Sequence, residues 1–217
     1  MTYPIAYPTR LDIEADPEQD RWRPFAQWAL ALPHLVILQA LQAASQAVAV
    51  VSWFWILFTG RLPAGLASFQ AMYLRYWMRT VSYVGFLREA YPPFGFTTSV
   101  EDPGDDPHVR LDVSPQLEDR NRLTTFFRLV LVIPHVLVLS LLSLAALIVL
   151  VVAAFAVLFT GRWPDSLRAF VVGTARWSLR LEAYLLLLVD DYPPFAFDDL
   201  SEGPRGGAPE PVTPFGS

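Results

Sequence analysis

The chemistry in this chain, if any, rests on a few charged residues set among apolar ones. Arg75 and Arg79 are four positions apart, as are Arg176 and Arg180, so each pair shares one face of a helix. Guanidinium groups make forked, charge-assisted bonds to phosphate and carboxylate, which makes both pairs candidate contacts for an anionic lipid headgroup. The plainer reading is snorkelling to a membrane surface, or pairing with Glu182, the natural partner of Arg75 or Arg79. Arg61 and Arg162, at two turns, are further anion candidates. His34 and His135 each follow a proline and could serve a metal pair or a proton relay. No Asp, Glu or second His lies at ligand spacing from either, so capping loosened backbone carbonyls is explanation enough and no metal is expected.

Catalytic residues and a cofactor are not expected. The chain has no Cys, and it shows no nucleophile elbow, no His-Glu-x-x-His, no phosphate-cradling glycine loop and no dinucleotide fingerprint. A net charge of -5 and a pI near 5.1 argue against nucleic acid as a partner. All 16 basic residues are Arg, which a GC-rich genome explains as readily as a taste for phosphate.

The elements that must carry these residues are apolar and repeated. With 53% hydrophobic and 17% charged residues and a mean hydropathy of +0.35, the chain is too apolar for an ordinary soluble domain. Pro24 to Phe58 and Leu129 to Phe159 contain no Asp, Glu, Lys or Arg, and both exceed the roughly 20 residues that cross a bilayer core. Leu57-Phe58-Thr59-Gly60-Arg61-Leu62-Pro63 closes the first run and Leu158-Phe159-Thr160-Gly161-Arg162-Trp163-Pro164 the second, 101 positions later. A short β-like phrase, Arg10 to Ile13, has its echo at Arg110 to Val113.

These signals predict an all-α integral membrane protein of two tandem helical-hairpin repeats, with about four transmembrane helices and short interfacial segments. The divisions are an acidic N-terminal segment 1–20, repeat units 21–96 and 120–197, a polar acidic linker 97–119 and a Pro/Gly-rich, disordered tail 198–217. Residues 1–20 lack the features of a secretory signal. Pro33-His34 and Pro134-His135 break each apolar run, so a short interfacial helix precedes a spanning helix from about Leu35 to Phe58 and from about Val136 to Phe159. Gln39, Gln42, Ser45 and Gln46, beside small residues four apart, predict a face packed on another helix. The second helices, about Ala64 to Glu89 and Asp165 to Asp190, either span or lie flat with their arginines toward headgroups; apolar ends at Val81 to Leu87 and Tyr184 to Val189 favour spanning. Spanning puts both termini on the arginine-rich, cytoplasmic side of the cell membrane; lying flat makes the two units antiparallel.

Pro-His early in the run, Phe-Thr-Gly-Arg-x-Pro at its end, Arg-x3-Arg in the next helix and Tyr-Pro-Pro-Phe at Tyr91 to Phe94 and Tyr192 to Phe195 occur twice in order. This set resembles the bacterial membrane family known as domain of unknown function 4389. The resemblance covers both units and implies no established activity, so it supplies no catalytic residues. The expected role is a non-enzymatic accessory or scaffold component contacting membrane lipids, another membrane protein or a second copy of itself through the arginine-bearing helices. The alternative is a small transporter or anionic-lipid-handling protein that uses the intramembrane arginines and Glu182.

Overall fold

The computed structural model describes residues 7–14 and 19–198. Asp16, Glu18 and the tail from 199 on, for which disorder was expected, lie outside the described residues. The elements are β1 (Thr9–Ile13), α1 (Arg23–Thr59), α2 (Ala64–Val84), β2 (Val109–Val113), α3 (Arg122–Leu131), α4 (Ile133–Thr160) and α5 (Asp165–Leu185). Among the described residues the fold is helical apart from one two-stranded ribbon, built from the two β-like phrases.

Each unit is a helical hairpin, and the repeated Phe-Thr-Gly-Arg-x-Pro stretch is its turn. Gly60 and Gly161 take the left-handed conformation, at φ 72° and 71°, and their N–H groups bond back to Ile56 O and Val157 O. Such a cap ends a helix and suits glycine, which has no Cβ to clash. The preceding threonines tie the turn together: Thr59 Oγ1 donates to Trp55 O at 2.7 Å and accepts from Arg61 N at 3.2 Å, and Thr160 does the same with Ala156 and Arg162. Pro63 and Pro164 then sit at the start of α2 and α5.

The two units are related by a pseudo-twofold axis. β1 and β2 pair antiparallel with Leu11 opposite Leu111, so the axis passes between these two residues. The same symmetry brings each unit's approach segment onto the other unit's turn: Arg120 N donates to Gly60 O at 3.1 Å, and Gln19 N to Gly161 O at 2.9 Å. Accordingly α1 and α4 run in opposite directions, and the turns at Arg61 and Arg162 lie at opposite ends of the molecule. Of the two arrangements open in the sequence, the antiparallel one is observed.

Three layers result. α1 and α4 bury only a narrow seam against α2 and α5: His34, Ser45, Ser52 and Ile56 in α1, and their 101-shifted equivalents His135, Ala146, Ala153 and Val157 in α4. α2 is buried nearly all round, because its other side carries the ribbon and the linker. The ribbon packs on α2 and α5 through Leu11, Val109, Leu111 and Val113.

Several expectations change. Among the described residues only α1 and α4 are long and apolar enough to cross a membrane, by length and composition, so candidate spans number two rather than four. α2 and α5 end early, at Val84 and Leu185, where Phe86 and Leu187 adopt positive φ. The proline break appears in unit two, between α3 and α4, whereas α1 continues through Pro33. Gln39, Gln42 and Gln46 do not pack on another helix of the chain; they are exposed, and only Ser45 of that group is buried, bonded to Gln70. The linker is not a mere spacer, since it supplies β2 and covers α2.

The turn geometry yields a paired test. Gly60→Val forces a β-branched residue into the left-handed region and should cost about 1–3 kcal/mol, seen as a lower Tm. Gly65→Ala, inside α2 where an added Cβ meets nothing, should leave Tm unchanged or raise it.

Candidate functional site

The motif residues of each unit converge on one cluster around a buried histidine. A proline inside a helix removes an N–H and pushes the carbonyls of the preceding turn aside, so these need new donors. Tyr91 Oη donates to Leu30 O at 3.3 Å and Tyr192 Oη to Leu131 O at 3.0 Å, in each case three residues before the proline. The histidine after the proline is fully buried and lies flat on the phenylalanine of the same Tyr-Pro-Pro-Phe motif: His34 on Phe94 at 4.3 Å between ring centroids, and His135 on Phe195 at 3.8 Å. Its Nδ1 meets the second helix: His34 and Tyr76 Oη share a 2.8 Å hydrogen bond, and Trp177 Nε1 donates to His135 Nδ1 at 3.0 Å. An indole N–H can only donate, so His135 carries its proton on Nε2. Helix, second helix and closing motif are thus fastened at one point, with each histidine enclosed by its own unit's rings.

A separate charged layer lies on the ribbon side of α2. Arg75 is buried and donates to Val100 O at 3.1 Å, Thr97 O at 3.4 Å and Ser99 O. Arg79 meets Asp105 at 2.7 Å, Asp102 at 3.5 Å and Asp106 at 3.6 Å, and Arg88 pairs with Asp106. Asp102 also accepts from Leu111 N at 2.8 Å, which joins the cluster to the ribbon. In unit two, Arg180 donates to Asp198 O at 3.0 Å and to Ala196 O, and Arg176 is half-buried. Arg75, Arg79 and Arg180 therefore serve the chain that follows their own hairpin. Arg61 and Arg162 are exposed at the two turns. Glu182, expected to pair with Arg75 or Arg79, lies within electrostatic reach of Tyr73 instead, because both arginines face the linker.

Two copies of the domain of unknown function DUF4389 match the chain, at residues 21–95 and 122–196, an offset of 101 at both ends. The chain belongs to this family. No curated protein and no solved structure matches it. The DUF4389 boundaries run from two residues before α1, or from the first residue of α3, through the Tyr-Pro-Pro-Phe motif, so one family unit comprises one hairpin and its proline-tyrosine-histidine cluster. The paired ribbon strands lie outside both matched stretches.

The DUF4389 units differ in a place that motif reading missed. Arg128 donates to Tyr184 O and pairs with Asp190 at 2.7 Å; Arg120 bonds Asp190 through Nε at 2.9 Å and donates to Leu187 O at 2.6 Å. The equivalent positions in unit one hold Gln27, which donates to Tyr83 O at 2.6 Å, and Gln19, which donates to Phe86 O. The same backbone carbonyls at the end of the second helix are thus capped by neutral amides in one unit and by a buried ion triad in the other. The repeat alignment carried this signal, since each glutamine stands 101 positions before an arginine. Burial alone would raise the Asp190 carboxyl, but the hydrogen bond and charge of Arg120, the Asn121 N–H and Arg128 outweigh it and hold the group below the ordinary range. Asp105 is lowered in the same way, with Arg79 prevailing over burial.

Carboxyls held low when folded contribute stability above their ordinary pKa of about 4, and that contribution is lost as pH falls through the folded value. Tm should therefore stay level from about pH 8 to about pH 5 and drop below about pH 4. Asp190→Asn leaves two buried arginines short of their counter-charge and should cost about 3–5 kcal/mol at neutral pH in thermal unfolding. An equal Tm for this variant and the wild type would remove the triad from the account.

Proposed function

We propose that the protein is a membrane component of non-enzymatic, accessory or scaffold type, held in the cell membrane by α1, α3 and α4. The observation that carries the reading is the openness of its most apolar helices: only 11% and 17% of the apolar windows of α1 and α4 are buried. Phe25, Phe58, Leu129, Leu141 and Phe159 are each more than 70% exposed. A soluble monomer rarely leaves so large a contiguous apolar surface in water, so membrane lipid is its natural solvent. The scaffold part draws support from the charged groups. Arg75, Arg79 and Arg180, three of the arginines expected to bind an anion, are engaged by the chain's own carbonyls and carboxylates.

Self-association or a membrane partner fits the exposed stretch of α1 where Gln39, Gln42 and Gln46 stand beside Ala40, Ala43, Ala44 and Ala47. Small residues permit close helix approach, and a glutamine in lipid gains from a partner. Transport or lipid handling called for the arginines and Glu182 to converge on one polar cavity, and their separation weighs against it.

After cell lysis the full chain should sediment with membranes and stay there through alkaline carbonate extraction. Leu141→Arg combined with Leu144→Arg, both on the exposed face of α4, should weaken this retention without lowering the Tm in detergent. Release of the wild-type chain by carbonate would overturn the membrane reading.

A further inference from the structure

We infer that both units insert into a single leaflet of the bilayer, with α1, α3 and α4 lying along it and the ribbon face in water. The inference rests on the membrane reading and adds how the molecule is seated.

The symmetry decides against spanning. If the oppositely directed α1 and α4 crossed the bilayer, the pseudo-twofold axis relating them would lie in the membrane plane, at its centre. That axis passes between Leu11 and Leu111. One residue to either side stand Arg10 and Asp12 on β1 and Arg110 and Asp112 on β2. Arg10 and Asp12 form a 2.8 Å pair with side chains 47% exposed, and Arg110 and Asp112 are exposed beside them. At about 3.3 Å per residue, all four backbones lie within a few ångströms of the axis. Spanning would therefore hold four exposed charges at mid-bilayer depth, where ionised side chains are least tolerated. An axis along the membrane normal instead places the ribbon as far from the lipid as the fold allows.

Length points the same way. The uncharged run Pro24 to Phe58 is helical throughout, and its 35 residues extend about 52 Å at 1.5 Å per residue, against a hydrocarbon core of about 30 Å. A tilt of about 40°, the upper end of the usual range, still leaves roughly 10 Å of apolar helix outside the core. One leaflet of hydrocarbon is about 15 Å thick, and a helix with its side chains about 10 Å across, so a single layer of helices fits within it.

The layer order then matches the depth order of a membrane surface. α1, α3 and α4 expose apolar side chains, α2 and α5 come next, and the Arg75 and Arg79 face beyond them is covered by Asp102, Asp105 and Asp106 beside the ribbon. Trp22 and Arg23 at the start of α1 and exposed Tyr91 and Tyr192 are of the types enriched at headgroup level.

The chain lacks cysteine, so single-cysteine variants report topology without background. Arg61→Cys, Arg162→Cys and Asp112→Cys are all at exposed positions, with Thr160→Cys as a second reporter at the second turn. Each full-length variant is labelled with a membrane-impermeant maleimide in intact cells and again in lysed membranes. One-leaflet insertion predicts that all positions report the same side. Labelling of Arg61→Cys and Arg162→Cys from opposite sides would establish antiparallel spans and overturn the inference. The two turns on one side and Asp112→Cys on the other would establish four spans and overturn it too. A wild-type chain found in the soluble fraction would instead remove the membrane reading on which the inference rests.

Discussion

A proline early in each unit's apolar run, inside α1 at Pro33 and at the α3–α4 junction at Pro134, marks the point around which the rest of the unit is arranged. A proline ring disturbs the backbone of the turn before it, which here includes Leu30 and Leu131. The tyrosine hydroxyl of the closing motif reaches Leu30 O or Leu131 O, and the neighbouring phenylalanine covers the histidine that follows the proline. The second helix is bound into the same cluster through Tyr76 or Trp177. Three motifs far apart in sequence are therefore parts of one contact, and the hairpin turn only has to bring them within reach.

Charge is handled by a parallel rule: every deeply placed arginine is given to an oxygen of the chain itself. Arg79 and Arg88 neutralise the linker acids, Arg120 and Arg128 share Asp190, and Arg75 and Arg180 cap carbonyls of the segments that follow their hairpins. Gly95 shows how closely this layer is fitted, because a Cβ there would collide with the Asp105 carboxylate and come within 3.1 Å of Arg79. Such a layer holds the ribbon and linker against the helices without needing a ligand.

Much of this was legible beforehand. The duplication, the turn at Gly60 and Gly161, the two β-like phrases and the family resemblance were all readable from spacing, because each depends on local backbone chemistry. What was not readable depended on the relation between the two units. The sense of the repeats follows from strand pairing at Leu11 and Leu111, a contact between distant residues that no periodicity encodes. The fate of Arg75 and Arg79 follows from where the linker folds back, so an intramembrane anion site and a linker clamp look alike in sequence. The span count went astray because α2 is apolar enough to be buried, and burial between protein layers leaves the same trace as burial in lipid.

Each ribbon strand finds its partner in the other half of the chain, and neither half can complete the sheet alone. A chain with a single copy would carry an open strand edge and could close it only by recruiting a second molecule. Covalent linkage turns that encounter into an intramolecular one at high effective concentration, independent of expression level. It also frees the two halves from having to be identical. Gln19 and Gln27 opposite Arg120 and Arg128, and Val81 opposite Glu182, are differences a self-pairing dimer could never hold in one copy and not in the other.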